Sequence, residues 1–100
     1  MPYHLILHPE AELELYESII WYEQVLIGLG SEFLKNIERV LHHIYLHPLI
    51  YAKRKKNFRE AVVKRFPFVI IYKVNKLEKE VHILSIFHTS QNPKMKYTRE

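Results

Sequence analysis

Two side chains late in the chain could take part in proton transfer. His88 ends a run of apolar residues, and a histidine titrates at a pH of about 6.5, so its imidazole could act as a general acid or base. Tyr97 could supply a hydroxyl or stack on a nucleobase. Each residue also has a structural interpretation, because His88 could be packed at a strand end and Tyr97 could cover apolar surface.

Positive charge is concentrated in the middle of the chain. Residues 53–65 contain seven lysines and arginines against one glutamate, a net charge of +6. Such a cluster favours contact with phosphate groups or an acidic protein, although lysines also protect an exposed edge strand from aggregation. Neighbouring strand residues point to opposite faces, so these cations cannot all share one surface. The candidate residues for binding a target or nucleic acid are Lys53, Arg54, Lys55, Lys56, Arg59, Lys64, Lys94 and Lys96.

Other kinds of site find little support in the sequence. The chain has no cysteine and no aspartate, which excludes disulfides, cysteine-ligated zinc and a Ser/His/Asp triad. Its two glycines cannot form a glycine-rich phosphate loop. His43 and His47, beside His42, have the i, i+4 spacing of a metal-binding pair, but histidines also suit the C-terminal end of a helix. We therefore expect neither a metal nor a cofactor.

Length and composition predict one small domain over residues 1–100. The sequence is 48% hydrophobic and 13% aromatic, which is enough for a packed core. Residues 1–50 carry seven glutamates and two cations, a net charge of −5, and residues 51–100 carry thirteen cations and four glutamates, a net charge of +9. One acidic and one basic face are expected. No signal peptide or membrane span is predicted, and the lack of cysteine fits the cytoplasm.

Hydrophobic periodicity predicts the elements that position these residues. A strand at 3–7 is followed by a helix from Pro9 to about Leu26, and Gly28 and Gly30 break that helix. Ser31 is predicted to cap a second helix, which ends near residue 47. Residues 48–56 are predicted to form an irregular loop before three strands at 57–66, 68–75 and 80–88, and residues 89–100 form a polar tail.

The predicted order is β-α-α-β-β-β, an α+β domain with a helical hairpin on one face of a mostly antiparallel four-stranded sheet. This order resembles the RelE/ParE superfamily of toxins, as do stretches that together span nearly the whole chain. These stretches are HPEA at 8–11, WYE at 21–23, GLGSEF at 28–33, FREAVVKRFPFVIIY at 58–72 and IFHTSQNP at 86–93.

The resemblance implies the toxin of a type II toxin–antitoxin system, neutralised by a cognate antitoxin. RelE-like members cleave messenger RNA in the ribosome, and ParE-like members act on DNA gyrase. In a RelE-type nuclease the catalytic residues would be Arg65, His88 and Tyr97, and the cations would hold the RNA. RelE-like nucleases often carry arginines where this chain has Val69 and Gln91, neither of which can stabilise the charge on a transferring phosphate.

Three hypotheses follow from the sequence. The first is a toxin that binds its target in the ParE manner, and the second is a ribosome-dependent endoribonuclease of the RelE type. The third is a degenerate, non-toxic relative that serves as a binding partner. Val69 and Gln91 favour the first and third hypotheses over the second.

Overall fold

Two helices packed on a five-stranded sheet make up the fold of residues 2–99, which the computed structural model describes. The helices are α1 (Pro9–Val25) and α2 (Leu29–Leu46), and the strands are β1 (His4–Leu7), β2 (Lys53–Lys55), β3 (Phe58–Val63), β4 (Phe68–Asn75) and β5 (Glu80–His88). The sheet order is β1-β5-β4-β3-β2, with β1 parallel to β5 and every other pair antiparallel. The predicted α+β class, with the helical hairpin on a mostly antiparallel sheet, is confirmed.

The prediction of four strands, with an irregular loop over residues 48–56, was wrong by one strand. Lys53 and Lys55 pair with Arg59 and Phe58, so β2 is a short edge strand. A tight turn with Lys56 in the left-handed region (φ 53°) joins β2 to β3. A strand of three exposed cations has no alternation of apolar and polar residues, so its sequence carries no strand signal.

The turn between the helices also differs from the prediction, because Ser31 does not cap α2. The helix begins at Leu29 after Gly28, whose φ of 92° suits a residue without a Cβ. The Glu23 carboxylate accepts the N–H groups of Gly28 (2.9 Å) and Gly30 (3.0 Å). A side chain from α1 therefore satisfies amide groups at the start of α2, and Ser31 lies inside the first turn.

The main core lies between the helices and the sheet. Phe33, Ile37 and Ile44 of α2 are fully buried there, against inward-facing residues such as Ile70 and Ile83 of the sheet. Helix α1 is apolar on more than one side: it packs on the core, yet its residues Leu13, Tyr16, Ile20 and Trp21 are each more than half exposed. No helix within residues 2–99 is long and apolar enough to cross a membrane.

A second, smaller cluster lies on the face of the sheet that the helices leave uncovered, here called the open face. Its buried members are Phe58, Val69, Ile71, Leu84 and Phe87. Residues 89–99, here called the tail, cross this face and pack Tyr97 against the cluster. The sheet therefore buries apolar side chains on both faces, and the tail is part of the packed structure.

Candidate functional site

Three lysines and a tyrosine line a groove between the β2–β3 hairpin and the tail. Lys55 and Lys56 come from the hairpin, Lys94 and Tyr97 come from the tail, and the groove has a volume of about 270 Å³. The Lys55 ammonium lies 6.0 Å from the centre of the Tyr97 ring. We call this feature the cationic groove. It brings together four of the residues predicted from the sequence, although they are separated by up to forty-two positions along the chain.

Tyr97 is held in this groove by Glu60. Its ring packs on Phe58 with the ring centres 5.1 Å apart, and its hydroxyl donates a hydrogen bond to the Glu60 carboxylate. Lys96 also contacts Glu60, with 3.3 Å between Nζ and Oε1. Burial, together with Glu60, raises the pKa of Tyr97 to about 12, although the positive charge of Arg54 acts in the opposite direction. At neutral pH the hydroxyl is therefore protonated and engaged as a donor.

Arg59 is placed away from the cationic groove. Its side chain is on the helix-facing side of β3, and the residue is only 8% exposed. The guanidinium donates hydrogen bonds to the carbonyl oxygens of Leu49, at 3.2 Å, and Tyr51. Arg59 therefore holds the segment between α2 and β2. Its positive charge is stabilised by backbone carbonyl groups and does not face a ligand.

The remaining cations of the sequence cluster are spread around the sheet. Arg65 lies in the β3–β4 turn with a φ of 72°, and its guanidinium is 3.2 Å from the Glu32 carboxylate of α2. Lys64 lines a separate groove with Arg39 of α2, while Lys53 and Arg54 are exposed in β2. The structure therefore divides the basic segment among several surfaces.

His88 lies at the end of β5, on the opposite face of the sheet from Tyr97. Its imidazole meets the Phe68 ring edge-on with the centres 4.9 Å apart, and Phe68 belongs to the helix-facing core. Its Nδ1 accepts the N–H of Ser90 at 3.0 Å and lies 2.7 Å from the Ser90 hydroxyl oxygen. Gln91 accepts the His88 N–H at 3.2 Å. The structure therefore does not bring His88 and Tyr97 into one site.

The histidines of α2 make local contacts. The Nδ1 of His43 is 2.8 Å from the Tyr51 hydroxyl, and the ring centres of His43 and His47 are 5.1 Å apart. His42 stacks on Tyr45. Within residues 2–99, no three histidine, aspartate or glutamate side chains are grouped so that they could hold a metal ion.

Sequence reasoning missed the anchor that fixes the end of the tail. Arg99 forms a two-pronged pair with Glu14, with N–O distances of 2.8 and 3.1 Å, and its Nε is 3.0 Å from a Glu10 oxygen. It also donates to the Leu84 carbonyl at 2.9 Å. The hydrogen bond to Glu14 is the main reason that the pKa of Arg99 is raised. The i, i+4 spacing of Glu10 and Glu14 was the available signal, since it places both carboxylates on one helix face.

Comparisons with known proteins agree with this fold. Residues 5–93 match the family described as "ParE toxin of type II toxin-antitoxin system, parDE". The structure is similar to a chain of the chromosomal ParDE toxin–antitoxin system from P. aeruginosa, with a TM-score of 0.62, 21% identity, and coverage of 88% of this chain and 97% of that one.

A second similar structure is a chain of the toxin–antitoxin complex RelBE2 from Mycobacterium tuberculosis. Its TM-score is 0.60, its identity is 16%, and the match covers 88% of this chain and 99% of that one. At these identities both likenesses show the fold alone. No protein with a curated description matches the chain significantly in sequence.

Proposed function

The chain belongs to the ParE toxin family of type II toxin–antitoxin systems, and from this premise we propose that it binds its target in the ParE manner, with DNA gyrase as the target. A cognate antitoxin would neutralise it in the cytoplasm. The observation that carries the proposal is the cationic groove, which is lined by three lysines and by a tyrosine whose hydroxyl is bonded to Glu60. Such a groove attracts an anionic surface through charge and aromatic contact.

The placement of the candidate catalytic groups supports binding rather than cleavage. A mechanism in which one of these two groups is the acid and the other the base requires both within hydrogen-bonding reach of one substrate, yet His88 and Tyr97 lie on opposite faces of the sheet. Arg65, the candidate for stabilising a phosphate, is paired with Glu32. Val69 is buried in the open-face cluster, and Gln91 is bonded to the His88 amide.

A ribosome-dependent ribonuclease is the second candidate, and the aromatic ring inside the cationic groove favours it. Lys55, Lys56 and Lys94 could hold the RNA backbone while a base stacks on Tyr97. If Tyr97 is the general acid or base of this reaction, its hydroxyl must exchange a proton. The substrate or the ribosome would then have to change the hydrogen bond between Tyr97 and Glu60.

Induced expression in a bacterial host tests whether the chain is toxic. We expect growth arrest without the antitoxin and normal growth when the antitoxin is expressed with it. Unaffected growth in both cases would contradict the proposal and would favour the non-toxic relative.

Two biochemical assays then separate the targets. If gyrase is the target, the purified protein inhibits gyrase supercoiling, and primer extension on translated messages shows no new cuts. Discrete cuts in messages with unaltered supercoiling would support the ribonuclease instead. The double variant Lys55→Glu/Lys94→Glu should lose at least about tenfold in activity, because reversed charges repel an anionic target. Lys35→Glu on α2 is the matched control for the change of lysine to glutamate and should keep its activity.

A further inference from the structure

A second groove, lined by both apolar and polar residues, lies on the open face near the β4–β5 turn. It has a volume of about 500 Å³, and its polar lining residues are His8, Asn57, Lys73, Asn75, Lys76 and His82. We call it the histidine groove. None of these residues lines the cationic groove, which the β2–β3 hairpin and the tail form at a separate place on the surface. We propose that the histidine groove binds a phosphate group.

A hydrogen-bonded relay fixes the two histidines. The Nε2 of His82 is 3.0 Å from a Glu80 carboxylate oxygen, and its Nδ1 is 2.8 Å from the Nε2 of His8. Because a carboxylate can only accept, His82 donates to Glu80 through Nε2; in the state that binds the anion, His82 is protonated and also donates through Nδ1 to the Nε2 of His8. Glu80 therefore orients both rings, and the Nδ1 of His8, which then carries the N–H, is the ring nitrogen of the pair that lies outside the relay.

The other lining groups supply positive charge and N–H donors. Lys76 carries a positive charge in the exposed turn, and Lys73 adds a second charge although its ammonium also lies 4.4 Å from the centre of the Phe58 ring. Asn57 and Asn75 carry amides. The Asn75 side-chain oxygen accepts the Glu78 N–H at 3.0 Å, which leaves the Asn75 amino group as its donor. Glu80 is not one of the residues that line the groove, and its carboxylate contacts His82.

This set of groups fits phosphate better than a smaller anion. A phosphate group has several acceptor oxygens that can be shared among lysines, amides and an imidazole. A volume of about 500 Å³ also falls in the range of small-molecule sites, so that a nucleotide could enter. The phosphate could belong to such a small molecule or to the backbone of a nucleic acid.

Nuclear magnetic resonance of the histidine rings and asparagine amides tests the site. The protein is titrated at pH 7 with inorganic phosphate, with chloride adjusted to hold the ionic strength constant. We expect saturable shifts for His8, His82 and Asn75, whereas His42 on the exposed side of α2 should not move. Shifts that do not saturate at about 10 mM phosphate, or that affect His42 equally, would overturn the proposal.

Variants show whether the lining residues bind the anion. His8→Gln and Lys76→Ala should each weaken phosphate binding by about tenfold, which corresponds to one lost charge-assisted contact. His42→Gln is the matched histidine control and should bind as the unaltered protein does. Because Lys76 lies in an exposed turn, its variant keeps the test valid if His8→Gln fails to fold. Unchanged binding in Lys76→Ala would refute the site.

Two further titrations distinguish the sources of the phosphate. Adenosine monophosphate should bind more tightly than inorganic phosphate if a nucleotide occupies the groove. A short oligonucleotide without terminal phosphates should bind more tightly than inorganic phosphate if the ligand is a nucleic-acid backbone. In either case the same two variants should lose the binding.

Discussion

Replacing Glu14 by alanine should destabilise the fold by about 2–4 kcal/mol. One oxygen of this carboxylate accepts the Ile86 N–H at 3.0 Å and the Ser85 hydroxyl at 3.1 Å, and both oxygens pair with Arg99. Ile86 is 1% exposed, and a buried amide that loses its acceptor costs about 1–3 kcal/mol. The pair with Arg99 is partly screened, since the two side chains are 27% and 19% exposed, and it adds about 1 kcal/mol.

Urea denaturation of the two proteins measures this loss directly. The matched control is Glu17→Ala, one turn further along α1 at an exposed position, which should change stability by less than about 0.5 kcal/mol. Hydrogen exchange at the Ile86 amide should accelerate in Glu14→Ala and stay unchanged in the control. A Glu14→Ala variant as stable as the control would refute the reasoning, because the β5 edge would then not depend on this carboxylate.

Three further predictions concern packing and titration. Gly30→Ala should lower the free energy of unfolding by at least about 2 kcal/mol in the same assay, because the new Cβ would lie 2.7 Å from a backbone oxygen of α1; a loss below about 0.5 kcal/mol would contradict it. Tyr97 should titrate at a pH of about 12 in a ¹³C titration of its ring, since burial and Glu60 favour the neutral phenol, and a midpoint near 10 would be inconsistent. The pKa of Tyr97 in the folded protein exceeds the usual 10. The stability that this shift contributes is therefore present below pH 10 and is lost as the pH rises toward 12. Glu60→Gln should lower the midpoint of the Tyr97 titration. Tyr72→Phe should cost about 1 kcal/mol in urea, because the buried Tyr72 hydroxyl donates to the Pro48 carbonyl at 2.9 Å; equal stability would argue against that bond.

The elements with a strong hydrophobic period could be predicted closely. The strands predicted at 68–75 and 80–88 have those bounds in the structure, and α1 ends one residue before the predicted Leu26. Helix α2 has Phe33, Ile37 and Ile44 on one buried face, as its spacing requires. The edge strand β2 could not be predicted, because its pairing depends on β3 and not on its own three residues.

The candidate site was predictable only in composition. The sequence identifies a basic segment and a basic tail, and the structure joins Lys55 and Lys56 of the first to Lys94 of the second. The sequence could not show that Arg59 would be buried or that Arg65 would pair with Glu32, thirty-three positions away. Such pairings are decided by tertiary contacts, which local sequence patterns do not encode.

The tail connects the stability of the fold to the candidate site. Arg99 fixes one end of the tail on α1 and β5, and Tyr97 and Lys94, a few residues earlier, form one wall of the cationic groove. The opposite wall, with Lys55, belongs to a short edge hairpin that packs on β3. We therefore expect the width of the groove to depend on a contact formed outside it, between Arg99 of the tail and Glu14 of the helical layer. For this reason Glu14→Ala should weaken target binding even under conditions in which the variant is fully folded, whereas Glu17→Ala should not. Equal affinity in the two folded variants would show that the groove keeps its shape without the anchor.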